Sequence, residues 1–354
     1  MPPRRKRRID PALFELPVER IRAGAYSDVY FNRAREALRA EGREARVTWQ
    51  VTVKRGGWLG GIDEAVALLR LCSDDFAALE VQALFEGDRV EPWDTVVLVE
   101  GDYASFAHLE TLILGTLSRR TRVCTNMRTL VDAARPKPIY FFGARSDHAS
   151  LQPGDGLSAH VGGAASVSTD AQGVFTGRKG VGTIPHALIA AHGGDTVGAA
   201  LAIAAVTPPE VPLIALVDYE NDSVKTSLAV ARALEGRLWG VRLDTSEFMV
   251  DHAVIPSMGT FVPTGVNAPL VWAVRNALDA EGFGDVKIVA SGGFTVQRIR
   301  AFEEEGVPVD AYGVGASVMD GRWDFTADVV RLDGRPQAKA GREFRANGKL
   351  ERVK

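Results

Sequence analysis

Residues able to do chemistry gather in the second half of the chain, each near the end of a short apolar run. His186 directly follows Pro185 in the glycine-rich stretch GVGTIPHALIAAHGGD (180–195). An imidazole there reads as a core residue, as the start of a helix, or as a nucleophile. In VRLDTSE, Arg242 and Asp244 stand two apart at a strand end, so they share one side while Leu243 points away. The guanidinium fork can hold a planar or anionic group, and the carboxylate a ribose hydroxyl or Mg²⁺; a local ion pair at a strand mouth is the plainer alternative. FGAR presents Arg145 in the same way beside Phe142, a ring that either stacks on a flat heterocycle or fills the core. Asp218 ends the run LVDYEND with Glu220 and Asp222 close behind. Such a cluster suits a Mg²⁺–diphosphate site, and Asp222 or Ser223 also suits an N-cap for SVKTSLAV.

Two glycine turns follow further strands: SGGF with Ser291, Gly292 and Gly293, and YGVGAS with Gly313 and Gly315. Successive backbone N–H groups opened by glycine at a helix start form a cradle for phosphate, although each turn alone is also an ordinary strand-to-helix connection. The glycine-rich stretch 154–182, including GGAASVSTD, reads as a long loop covering a ligand. The sequence has no zincin, P-loop or nucleophile-elbow motif.

The elements needed to position these groups follow from the hydrophobic rhythm. Over residues 9–135, ARVTWQVTV and DTVVLVEGDY read as strands. EAVALLRLC and DDFAALEVQALFEG read as helices, the second starting at Asp74 and Asp75, and HLETLILGTLSRRTRVCTNMRTLVDAA as a long helix ending before Pro136. This is an α+β domain. From 136 to 320, the runs PIYFFGAR, VPLIALVDYE, LWGVRLDTSE, VKIVASGGF and VDAYGVGAS recur with helical stretches between several of them. Continuous apolar runs separated by crossover helices predict buried parallel strands, hence an α/β barrel first and an open doubly wound sheet second. In either fold function gathers at the carboxyl ends of the strands. The tail 321–354 is polar, with one strand at FTADVVRL that can return to the first domain.

Composition bounds the rest. At 354 residues, with 46% hydrophobic and 25% charged residues, the chain has the length and balance of a globular protein of two domains. Its two cysteines, Cys72 and Cys124, are too few for a disulfide framework and fit a reducing, cytoplasmic setting. Residues 1–8 carry five basic side chains and read as a disordered arm, without the apolar region of a secretory signal. A net charge of −3 argues against a nucleic-acid partner. The most apolar stretch, ALAIAAVTPPEVPLIALVD, is broken by prolines and a glutamate, which argues against a membrane span.

Taken together, these residues resemble nicotinate phosphoribosyltransferases. FFGAR (141–145), GTIPHAL (182–188), VRLDTSE, SGGF and YGVGAS follow that family's motifs in order, with SDVYF (27–31) and FAHLETLILG upstream, so the resemblance runs from about residue 20 to 340. It implies an irregular, incomplete α/β barrel beside an α+β domain built from both ends of the chain. It also implies a head-to-tail homodimer with shared active sites. Tyr30 of the neighbouring subunit would stack on the pyridine ring against Phe142. Arg242 and Arg145 would bind the pyridine carboxylate and the diphosphate region, Asp218 and Asp244 ribose and Mg²⁺, and Gly292, Gly293, Gly313 and Gly315 the 5′-phosphate. Ser168, Thr183 and Ser291 would join the substrate contacts. The reaction implied joins nicotinate and phosphoribosyl diphosphate into nicotinate mononucleotide and diphosphate, with ATP as co-substrate and His186 transiently phosphorylated; His148 and His160 are secondary candidates. The chain departs from the family's Arg-x-Asp-Ser-Gly by reading Arg-Leu-Asp-Thr-Ser-Glu, and it lacks the cysteines of the metal module some relatives carry. Asp170, in STD, sits near where nicotinamide-using relatives place an aspartate that accepts from the amide, which makes nicotinamide the alternative substrate. A catalytically inactive barrel that binds a phosphorylated metabolite is the remaining reading.

Overall fold

A computed structural model describes residues 7–353. Of the basic arm expected over 1–8, residues 1–6 lie outside the described residues; Arg8 pairs with Asp63 at 2.9 Å and lies over the ring of Phe85. The chain divides into two compact units, one formed by residues up to Asn126 together with those from Asp320 onward, the other by Met127–Met319.

The first unit is built on a six-stranded antiparallel sheet in the order Arg335–Pro336, Phe325–Leu332, Arg46–Val53, Thr95–Asp102, Glu80–Ala83, Glu351–Arg352. FTADVVRL thus returns to pair with the first long strand, Val53 opposite Phe325. One expected helix is absent. DDFAALEVQALFEG forms only a 3-10 turn at Phe76–Ala78, capped by Asp75, and then the strand Glu80–Ala83. The alternation Glu80-Val81-Gln82-Ala83 puts Val81 and Ala83 inside and leaves their neighbours exposed, so strand burial outweighs helix propensity there.

The second unit holds six parallel strands: β1 (Ile139–Phe141), β2 (Ser166–Val167), β3 (Leu213–Leu216), β4 (Leu238–Leu243), β5 (Lys287–Ala290) and β6 (Ala311–Val314). Their order is β2-β1-β6-β5-β4-β3. β3 and β6 are buried along their whole length, as expected for strands covered on both faces. The edge strands β2 and β3 do not pair, so the barrel is incomplete. An extended segment takes up the gap: the Val181 N–H donates to the Val167 carbonyl at 2.7 Å, and the Ile184 N–H to the Ile214 carbonyl at 3.3 Å.

The stretch 154–182 is not the long loop expected. It contains the helix Gln152–Gly162, strand β2 and the short helix Asp170–Gly173. Its glycines serve close packing: a Cβ on Gly156 would lie 2.0 Å from the Gln172 carbonyl oxygen, and one on Gly173 1.9 Å from that of Arg178.

Candidate active site

The site is assembled from the carboxyl ends of β1, β3, β4 and β5 together with the gap-filling segment 181–184. Arg242 is its centre. Alternation along β4 turns Arg242 and Leu243 to opposite faces; Leu243 is fully buried, and the Arg242 side chain keeps 15% exposure. Three partners hold its guanidinium: Nε donates to Ser291 Oγ at 2.8 Å, Nη1 to Thr183 Oγ1 at 3.0 Å, and Nη2 pairs with Asp244 Oδ2 at 2.7 Å. Ser291 Oγ also lies 2.7 Å from Asp244 Oδ1, so this hydroxyl links the two charged groups. The guanidinium carbon sits 5.2 Å from the centre of the Phe142 ring, a cation–π distance.

Phe142 is seated by glycines. A Cβ on Gly313 would lie 2.4 Å from its ring, and one on Gly315 2.9 Å from its carbonyl oxygen. Those two glycines therefore make room for the aromatic ring and its backbone. Gly292 and Gly293 differ, since both adopt left-handed φ, +85° and +73°.

The second catalytic candidate is a pair. His186 opens the helix His186–Ala191 after Pro185, and its Nε2 lies 3.0 Å from Asp218 Oδ1. The imidazole is about half exposed at 47%, whereas the Asp218 side chain is 7% exposed. Burial pushes the Asp218 carboxyl above its ordinary range, and neighbouring His186 opposes that rise. Tyr219, which sequence reasoning missed, places its ring 6.2 Å from the imidazole.

A cavity of about 460 Å³ is lined by Phe142, Arg145, Ser168, Thr183, His186, Arg242 and Asp244, whereas Asp218 lies behind His186 and does not line it. Arg145 has no ion-pair partner among the described residues. Ser291 is 2% exposed and does not line the cavity, so it supports Arg242 and Asp244 from behind. Asp170 is turned outward: its side chain is 67% exposed, bonds the Gly180 N–H and pairs with Lys179, and the Gly180 bond chiefly lowers its pKa. Tyr30 belongs to the first unit, in the helix Val29–Ala40, and is 62% exposed. Asp222 acts as the N-cap of the helix Ser223–Leu234, accepting from the Lys225 N–H. His148 caps the turn Ala149–Leu151, and His160 is half-buried, with its pKa lowered by burial and by Arg178; neither lines the cavity.

The donor set bears on Mg²⁺. Both oxygens of Asp244 are engaged, by Arg242 and Ser291, and one oxygen of Asp218 by His186. No group of three or more metal-ligating side chains occurs among the described residues. This donor set suits a Mg²⁺ ion that brings most of its oxygen ligands with it, with one carboxylate in support, and does not suit a cage made wholly of protein.

Fold and site define an incomplete α/β barrel with its cavity at the carboxyl ends of the parallel strands, where function gathers in folds of this class. Residues 28–121 match the family model described as quinolinate phosphoribosyl transferase, N-terminal domain. The chain is 33% identical to a nicotinate-nucleotide pyrophosphorylase from Pyrococcus furiosus, with 96% of this chain and 85% of that one covered and a TM-score of 0.80. It is 30% identical over 273 residues to the nicotinate phosphoribosyltransferase pncB1 of Mycobacterium tuberculosis, covering 73% of this chain and 55% of that protein. Human nicotinic acid phosphoribosyltransferase shares the fold at 18% identity and a TM-score of 0.67, over 88% of this chain and 76% of that one. The chain belongs to the nicotinate/nicotinamide phosphoribosyltransferase family. It spans about half the length of the curated relatives it matches. No helix among the described residues is long and apolar enough to cross a membrane.

Proposed function

We propose that the protein transfers the phosphoribosyl group of phosphoribosyl diphosphate to nicotinate, forming nicotinate mononucleotide and diphosphate with ATP hydrolysis, as a step of NAD biosynthesis. The observation that carries this reading is the anchored Arg242 fork. Of the five N–H bonds of a guanidinium, two donate to Ser291 and Thr183, and Nη2 is ion-paired with Asp244, which leaves at least one donor on each terminal nitrogen. Two such donors beside the Phe142 ring match the carboxylate of a flat pyridine. The outward turn of Asp170 favours nicotinate over nicotinamide, since no carboxylate from that residue meets the ring substituent.

Nicotinate held this way presents its ring nitrogen to C1 of the ribose. As the C1–O bond to diphosphate breaks, positive charge develops on the sugar and the new N–C1 bond forms. Asp244 and Asp218 hold the ribose hydroxyls and stabilise that charge, and Arg145 meets the departing diphosphate. Mg²⁺ bound with the diphosphate supplies charge neutralisation of the leaving group. His186 is the acceptor for ATP. With Nε2 on Asp218, Nδ1 carries the free lone pair, attacks the γ-phosphorus and releases ADP.

Quinolinate is the second reading, because residues 28–121 match the N-terminal domain of that enzyme type. That match lies in the first unit, whereas the cationic residues lining the cavity are Arg145, Arg242 and, when protonated, His186, few for a dicarboxylate in addition to a diphosphate. The test offers nicotinate, nicotinamide and quinolinate separately to the purified protein with Mg²⁺ and phosphoribosyl diphosphate, each with and without ATP. Nicotinate mononucleotide, stimulated by ATP in the wild type but not in His186→Ala, is the expected result. Product from another pyridine alone would replace the substrate, product indifferent to ATP would remove the role of His186, and no product from any of them would point to a binding protein.

A further inference from the structure

The turn Ser291–Phe294 is held from behind by a side chain to which the reaction above gives no part. Arg298, in the helix Val296–Glu304, donates from Nη1 to the Gly292 carbonyl at 2.8 Å and, at the 3.5 Å limit, to the Gly293 carbonyl. Its Nη2 donates to the Val266 carbonyl. The guanidinium carbon lies 4.4 Å from the centre of the Phe294 ring, which fixes the plane of the fork.

A peptide group is planar, with its C=O and N–H on opposite edges. Holding the carbonyls of Gly292 and Gly293 toward Arg298 therefore turns the N–H groups of Gly293 and Phe294 the other way. Among the described residues, the N–H groups of Gly292, Gly293 and Phe294 have no protein acceptor. Three consecutive donors of this kind, in two left-handed glycines and the residue after them, form a concavity for an anion. The turn borders the site: a Cβ on Gly292 would lie 3.6 Å from Asp244 Oδ1.

We propose that Arg298 is a positioning residue whose fork sets the peptide orientation that makes residues 292–294 a donor cradle for the phosphate monoester of the ribose substrate. The inference rests on the phosphoribosyl reading of the site. The required property is the fork: a lysine keeps the charge but, with a single nitrogen, cannot clamp Val266 and the glycine turn in one plane.

The experiment compares wild type, Arg298→Met and Arg298→Lys. Inorganic phosphate and phosphoribosyl diphosphate are titrated calorimetrically, with KM for nicotinate and the thermal midpoint recorded alongside. Both variants are expected to bind the phosphate compounds about tenfold more weakly or worse, the loss that accompanies about 1.4 kcal/mol. KM for nicotinate should stay within about twofold, because the Arg242 fork is untouched. Unchanged phosphate binding in the variants would overturn the proposal. Lysine at wild-type strength would overturn it too, by showing that charge alone suffices, as would equal losses for nicotinate and phosphate. Should Arg298→Met fail to fold, the lysine variant decides. A wild type that binds neither phosphate compound would instead sink the phosphoribosyl reading, and this inference with it.

Discussion

At the scale of single residues, the site depends on how completely Arg242 is held. Its partners Thr183 and Ser291 lie 59 and 49 positions away along the chain. Ser291→Ala would leave Nε unpaired and cut the link to Asp244 while changing little volume. Losing one such charge-assisted bond costs about 1.5–3 kcal/mol, so kcat/KM for nicotinate should fall about tenfold to a hundredfold with the fold intact. Steady-state kinetics beside a thermal melt checks this, and an unchanged kcat/KM would show that Thr183 and Asp244 hold the fork unaided. The His186–Asp218 pair carries a separate expectation. Asp218→Asn removes the charge behind Nε2, so ATP stimulation should drop far more than pyridine binding, read as ADP release against nicotinate KM.

At the scale of elements, several glycines act by the space they leave. Gly313→Ala would put a methyl 2.4 Å from the Phe142 ring. The ring must shift, and KM for the pyridine should rise several-fold while phosphate binding changes less. Gly156→Ala meets the Gln172 backbone at 2.0 Å, a contact that no rotamer relieves. Overpacking of this kind costs typically about 1–3 kcal/mol, and the thermal midpoint should fall accordingly. The parallel strands were legible in the sequence because burial on both faces leaves continuous apolar runs. Segment 74–87 was not: its apolar spacing fits a helix, and only pairing of Glu80–Ala83 with Thr95–Asp102 makes it a strand. The glycines of 154–182 misled for a related reason, since close packing of a helix and flexibility of a loop call for the same residue.

At the scale of the whole molecule, inward-turned carboxyls give stability a pH dependence. Burial and nearby Asp63 push Glu86 up to about 8, and burial pushes Glu110 up to about 7. A carboxyl whose pKa is higher folded than unfolded binds more protons in the folded state between the two values. Stability therefore falls as pH rises from about 4.5 toward 8, with a slope of up to about 1.4 kcal/mol per pH unit for one group. Thermal midpoints measured at pH 5, 6.5 and 8 should decline in the wild type and decline less in Glu86→Gln; parallel declines would remove Glu86 as a source. The shared-site homodimer expected from the sequence resemblance makes its own prediction for exposed Tyr30. Mixing Tyr30→Ala and His186→Ala proteins should restore about a quarter of the ATP-stimulated activity, because random re-pairing makes half the molecules heterodimers with one intact site each. No recovery after subunit exchange would remove the shared-site arrangement.

Local patterns along the chain carried the parallel α/β unit, the order of its motifs, and the placing of Arg242 and Asp244 on one side of a strand end, because strand periodicity and i, i+2 spacing are local properties. Tertiary packing settled which groups meet across the barrel mouth. It brought Thr183 and Ser291 onto Arg242 and His186 onto Asp218. It also turned Asp170 outward onto Lys179 and set Arg298 behind the glycine turn. Those contacts join strand ends and connecting segments far apart along the chain, and their geometry is set by how the sheet curls and how its gap is filled, which no local pattern of residues encodes.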